Sequence, residues 1–282
     1  MITALFDPPG PKARGRHRLL EVGAILLLVA VAATVIAMLA SHEFFTPGAW
    51  TPFAQWGLWR LVGLGLLNNV TAAVVAMVLS MMAGVLLSFG LTSSAPAVQG
   101  VSRAVTAMLG SIPVLLLLFF ASLMLPAWGL QLPDFWFLVI ALTLYSGAVI
   151  GDLLAAGVRA LPRGQSEAAA ALGFSPTRTL VTILLPQAVR NIAPALVSQL
   201  VIVFKGTALA YVLGGYIELL HTATVIGSYY SQSSLQALVV AAVLFMLVNI
   251  GLSALSRAVE RHERHRFGLR GASLVEQIVA AG

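Results

Sequence analysis

Six stretches of this 282-residue chain run for about 20 residues or more with almost no charge, the length a helix needs to cross the hydrocarbon core of a bilayer. They are read as 22–41, 68–91, 104–126, 135–156, 193–213 and 235–256. In lipid every backbone polar group must be satisfied within the segment, so runs of this length fold as helices. The expected fold class is all-α, a polytopic membrane protein with about six transmembrane helices. Composition agrees, because only 9% of residues are charged and 59% are hydrophobic, whereas a soluble domain carries roughly 25% charged residues. So few charges cannot cover a water-facing surface. The absence of cysteine excludes disulfides and thiolate metal sites.

The charges that remain are informative by position. With residues 1–19 as a cytoplasmic segment and 20–41 as a retained first span, the positive-inside rule orients the rest. Lys12, Arg14, Arg16 and Arg18 then share one side with Arg103, Arg159, Arg163, Arg178, Arg190 and the five arginines of a basic tail at 257–282. That is 14 of the 16 cations. Lys205 lies within the fifth span, and Arg60 alone falls outside. Both termini are therefore expected in the cytoplasm. Trp50, Trp56, Trp59, Trp128 and Trp136 fall at the opposite ends of the spans, where amphipathic rings favour the interface. The basic balance is thus assigned to a membrane surface, and no nucleic acid is expected.

Between the fourth and fifth spans lies a loop, 159–190, too polar to cross. Pro162 suits a helix first turn, and the following Gly164-Gln165-Ser166-Glu167-Ala168-Ala169-Ala170-Ala171-Leu172 is rich in strong helix formers. Gly173 supplies a stop that tolerates a left-handed backbone. Ser175-Pro176 reads as an N-cap followed by proline at the first helical position. A second short helix is expected to end at Pro186. The pattern predicts two short helices joined at a glycine corner.

Glu167-Ala168-Ala169, then Gly173, then Ile183-Leu184-Leu185-Pro186 resembles the EAA loop of ABC importer permeases. The likeness covers roughly residues 61–256 and narrows to the polar amino-acid uptake permeases, on Pro162-Arg163-Gly164-Gln165, Leu185-Pro186-Gln187-Ala188-Val189-Arg190 and Lys205-Gly206-Thr207-Ala208-Leu209, with Glu218 following. The opening Leu5-Phe6-Asp7-Pro8-Pro9-Gly10-Pro11-Lys12 is similar to that of a permease of the actinobacterial glutamate uptake system. The chain departs from the family at Gly110, Gly151-Asp152, Ala155 and Gly206, which bears on substrate identity. The resemblance implies a type I ABC importer permease core and a coupling role for Gln165, Glu167, Ala168, Ala169, Gly173 and Pro186. It also implies a homologous second permease forming a heterodimer, two ATPase subunits holding ATP and Mg, an extracytoplasmic substrate-binding protein, and residence in the bacterial cytoplasmic membrane. Glutamate is the first expected substrate among acidic and polar L-amino acids.

Neither lysine sits in a Gly-Lys-Ser/Thr setting, so no phosphate-cradling loop is expected, and with it no ATPase site, catalytic residue or cofactor in this chain. His262 and His265 read as solvated residues, and no metal site is expected. Polar groups in or near spans are the candidates for a substrate pathway: Asn68, Asn69, Ser111, Asp152, Gln199, Lys205 and Thr207. An ionisable residue within a membrane costs about 2.5–3.5 kcal/mol or more, which makes Lys205 and Asp152 functional candidates by default. Lys205 either meets a substrate carboxylate or an acidic partner, or pairs with Asp152, unless Asp152 simply lies at the cytoplasmic edge. Gly147 and Gly151, four apart, allow close helix packing. The alternative function is an ion-gradient-driven secondary amino-acid transporter, a class marked by internal repeats or broken spans with ion-binding carboxylates.

Overall fold

The computed structural model describes residues 11–280, and side chains over 20–258. The elements in order are α1 (Pro11–Ser41), α2 (Pro47–Trp50), a 3-10 turn (Thr51–Ala54), α3 (Trp56–Leu91), α4 (Pro96–Ser111), α5 (Val114–Ala127) and α6 (Asp134–Arg159). There follow α7 (Arg163–Ala171), α8 (Pro176–Thr179), a π-helical turn (Leu180–Leu184), α9 (Leu185–Asn191), α10 (Ala193–Gly206) and a 3-10 segment (Thr207–Leu213). Last come α11 (Leu219–Tyr229), a 3-10 turn (Ser231–Ser233) and α12 (Ser234–Ala280). There is no strand among the described residues. The opening from Leu5 to Gly10 and the side chains of His262 and His265 lie outside them.

Among the described residues five helices are long and apolar enough to cross, and α4 with α5 forms a sharply bent apolar pair, either a broken span or a re-entrant loop. The third span was expected as one helix over 104–126. Instead α4 and α5 meet at 100°. The cause is Pro113: it has no N–H to extend a helix, and its ring forces Ile112 into an extended conformation (φ −78°, ψ 127°). With 14 residues, α5 spans about 21 Å at 1.5 Å per residue, short of the roughly 30 Å core. The second span differs in length, since α3 has 36 residues and begins at Trp56 rather than near 68.

The core forms where α3 and α6 run side by side. Ala72, Ala73 and Ala76 face Leu138, Ala141 and Leu142, with Leu117 and Leu118 of α5 and Val203 and Phe204 of α10 closing around them. Lipid is as apolar as leucine, so this packing rests on close contact rather than on escape from water. Gly147 and Gly151 make that contact, as their spacing predicted. A methyl on Gly147 would meet Ala83 Cβ at 2.9 Å, and one on Gly151 would meet Leu87 Cβ at 2.9 Å; Gly84 faces Ile150 across the same seam.

The molecule has two ends. The tryptophans gather where α3 and α6 begin and α5 finishes, and α7 to α9 occupy the other. The most apolar stretch of α1, within Leu20–Ser41, buries nothing against the rest of the chain. Only the turn beyond it docks: Phe44 packs edge-on against Trp50 at 5.3 Å, and its carbonyl accepts from Trp50 Nε1 at 2.8 Å and from Gln236 Nε2 at 3.1 Å.

Candidate functional site

The loop of 159–190 folds into an elbow. Its first arm, α7, ends in a Schellman motif: Gly173 N–H donates to Ala170 O at 2.9 Å and Phe174 N–H to Ala169 O at 3.0 Å. Gly173 sits at φ +78°, a left-handed conformation that costs glycine nothing and a side-chain-bearing residue about 1 kcal/mol or more. The second arm starts as its sequence predicts. Ser175 Oγ accepts from Arg178 N–H at 3.3 Å, with Pro176 at the first position. The Arg178 guanidinium lies over the Phe174 ring at 4.5 Å, bridging the corner.

That arm does not end at Pro186. It passes through the proline and runs to Asn191. Pro186 cannot donate to the carbonyl one turn back, and the ladder absorbs the missing bond by widening to π spacing at Leu180–Leu184, where Leu185 N–H reaches Leu180 O. The two arms are then tied by side chains. Gln165 Nε2 donates to Gln187 Oε1 at 3.0 Å, and Gln187 Nε2 donates to Gln165 Oε1 at 2.8 Å and to Ile183 O at 2.8 Å. Ala169 is buried in the elbow, whereas Glu167, Ala168, Gly173 and Pro186 are exposed. The elbow thus presents a narrow face of small side chains with one carboxylate, backed by a cavity of about 470 Å³ that reaches Phe89 and Thr92 at the end of α3.

The pathway candidates separate into distinct places. Asn68 and Asn69 grip the segment before α11. Asn68 Nδ2 donates to Ile217 O at 2.6 Å, and Asn68 O accepts from Tyr216 Oη at 2.7 Å. Asn69 is wholly buried. Its Oδ1 accepts from Leu219 N–H at 2.9 Å, and its Nδ2 donates to Thr207 Oγ1 at 2.8 Å and lies 3.4 Å from Glu218 Oε2. Glu218, also fully buried, caps α11, its carboxylate accepting from Leu220 N–H at 2.7 Å and His221 N–H at 2.6 Å. Burial raises its pKa above the ordinary carboxylate range, while those N–H donors oppose the rise. This buried node joins three segments.

Ser111 and Asp152 share a shallow cleft of about 450 Å³ between α4 and α6. Ser111 Oγ is turned back to Ala107 O at 2.6 Å, and Asp152 is exposed. Gln199 is buried with its Nε2 unsatisfied. Lys205 is exposed on the last turn of α10 and does not pair with Asp152 among the described residues. Directly after it the span tightens into the 3-10 segment, and Gly214 turns the chain at φ +76°.

Glu218 and Gln187 were not singled out as site residues from sequence. The available signals were a carboxylate just before the helical run at 219–229, where an N-cap belongs, and two glutamines placed to meet across a folded hairpin.

Residues 76–265 match the family described as binding-protein-dependent transport system inner membrane component. The glutamate transport system permease protein GluD of Corynebacterium glutamicum is 36% identical over 232 residues, 80% of this chain and 84% of that one. The arginine transport system permease protein ArtQ of Bacillus subtilis is 30% identical over 198 residues, 70% of this chain and 90% of that one. Among solved structures, the crystal structure of an amino acid ABC transporter with histidines superposes with a TM-score of 0.65 at 25% identity, covering 72% of this chain and 94% of that one. The fold is thus that of the type I ABC importer permeases, and the chain belongs to the family of binding-protein-dependent transport system inner membrane components.

Proposed function

We propose that this chain is the membrane-spanning subunit of an ATP-driven importer of an acidic or polar L-amino acid, glutamate first, and that the elbow of α7 to α9 receives the mechanical stroke of a partner ATPase. The observation that carries this reading is the build of the elbow. A Schellman corner, a capped second arm and a reciprocal amide pair make two short helices one rigid body, exposed at the end of the bundle away from the tryptophans. Small alanines let such a body sit deep in a partner's groove, and Glu167 gives that contact an electrostatic register. ATP and Mg belong to two ATPase subunits, and a homologous, different permease completes the pair. A substrate-binding protein delivers the amino acid from the opposite side. Both termini face the ATPases, an orientation supported by the segregation of 14 of 16 cations to the elbow end. The seven polar pathway residues serve two duties in this reading: Asn68, Asn69 and Thr207 hold the fold, while Ser111, Asp152, Gln199 and Lys205 face or border the space between the two permeases. Glutamate follows from the likeness to GluD.

The test is the purified complex reconstituted in vesicles. Glutamate with its binding protein should stimulate ATP hydrolysis, and uptake should survive collapse of the ion gradient. Glu167→Lys and Gly173→Val should cut ATP-linked uptake at least about tenfold while the variants remain folded, since each alters only the docking face or its corner. Uptake that follows the ion gradient and ignores ATP would establish the secondary-transporter alternative, which the family match disfavours.

A further inference from the structure

Arg60 is the one cation that the charge segregation leaves at the tryptophan end. It lies one turn inside α3, directly after Trp59 and one turn on from Trp56, and it lines a cleft of about 580 Å³ between the start of α3 and the end of α11. Gln55, Tyr229 and Tyr230 share the polar rim, and Tyr230 Oη donates to Gln55 Oε1 at 3.4 Å. Below the rim the walls are Leu61, Leu64 and Val225, all exposed. No acidic residue lines this cleft, and Arg60 has no ion pair or hydrogen bond among the described residues.

An unpaired guanidinium at the level of an aromatic belt, above an apolar slot that runs toward the bilayer centre, is complementary to one class of molecule. The planar fork binds two oxygens of a phosphodiester at once. The phenols and the Gln55 amide donate to further headgroup oxygens, and the leucine-valine slot accepts a hydrocarbon chain. The net charge of the cleft, +1, matches a headgroup of charge −1 that carries no ammonium. We propose that the Arg60 cleft is a binding site for one anionic phospholipid of phosphatidylglycerol type, drawn from the leaflet opposite the elbow, with its phosphodiester on Arg60 and one acyl chain against Leu61 and Leu64. The bound lipid would fix α11 against α3 and so brace the segment that Glu218 caps.

Native mass spectrometry of the whole importer, released from vesicles of phosphatidylglycerol and phosphatidylcholine, tests this. The expected result is one phosphatidylglycerol retained per copy of this chain. Its occupancy should fall about tenfold in Arg60→Gln and by less in Arg60→Lys, which keeps the charge and loses the fork. Leu64→Trp, which fills the slot and leaves the guanidinium in place, should also expel the lipid, whereas millimolar inorganic phosphate should not compete. Equal retention by wild type and Arg60→Gln would overturn the site. So would a cross-link placed at residue 60 that captures the substrate-binding protein or the second permease, because the cleft would then be a protein interface. Glu167→Lys should keep the lipid, so failure of the coupling role leaves this result readable on its own.

Discussion

Asn69 uses both halves of its amide. The carbonyl takes the Leu219 N–H, and the amino group serves Thr207 and the Glu218 carboxylate. No water reaches it, so truncation leaves buried donors and acceptors unpaired, at about 1–3 kcal/mol each. Asn69→Ala should therefore lower the thermal midpoint of the purified protein far more than Asn68→Ala, whose site is partly open to solvent. Equal shifts for the two would show that the node is not the anchor it resembles. Glu218 adds a pH signature. Its folded pKa is raised by burial, so the folded state holds the proton more tightly than the unfolded chain. That contribution is present below the ordinary glutamate range and is lost as pH climbs through the raised folded value. Stability of the wild type should fall across that window, and Glu218→Gln should flatten the slope, measured by unfolding at a series of pH values. Asn69 and Thr207 were legible in the sequence as polar groups inside apolar runs. Glu218 was legible as a match to the family segment, but its burial was not, because it lies in a short connection where a carboxylate looks solvated; only the fold shows that the connection is pinned inward by Asn68 and Tyr216.

At the scale of elements, local chemistry that acts within a few residues was readable and chemistry that acts across a hairpin was not. The Gly173 corner and the Ser175-Pro176 start follow from backbone preferences at single positions. The passage of the second arm through Pro186 depends on a π turn and on Gln187, which is placed by tertiary contact with Gln165. This pair makes a measurable claim. Gln165→Leu and Gln187→Leu both break the two reciprocal bonds, Gln187→Leu losing the one to Ile183 O as well, so the double variant should cost less than the sum of the singles, with a coupling of about 1 kcal/mol. The stricter readout is functional: uptake per ATP hydrolysed should fall in the singles while basal hydrolysis remains, because a loosened elbow transmits less of the stroke. Additive losses with an unchanged ratio would reduce the pair to a surface contact. The bend at Pro113 was legible in principle, since proline and the residue before it both resist helix; hydropathy averaged over a window hides it. The α3–α6 seam behaves oppositely, since the spacing of Gly147 and Gly151 predicted the close approach. Gly147→Leu would bring its Cβ to 2.9 Å from Ala83 Cβ, so overpacking should destabilise the fold by about 1–3 kcal/mol without changing the elbow.

Across the whole molecule the first span stands apart. The apolar stretch of α1 buries nothing; its last turns, at Val35, Met38 and Leu39, face the start of α12 across a cleft, and the turn around Phe44 docks it to the bundle. Helices in lipid gain stability only from the contacts they make, so α1 contributes almost nothing to the stability of the rest. The proposed orientation does not depend on it, because Arg103, Arg159, Arg163, Arg178 and Arg190 alone mark the elbow side as cytoplasmic under the positive-inside rule. A variant that begins at His42 keeps the docked turn and loses the apolar helix together with the basic segment before it. It should insert with the elbow accessible to a cytoplasmic label, unfold within about 2–4 °C of the full chain, and retain ATP-linked uptake. A loss of folding in that variant would mean that α1 packs on a face of this bundle after all. A folded but inactive one would mean that α1 is completed by the second permease, with its contacts lying between subunits rather than within one.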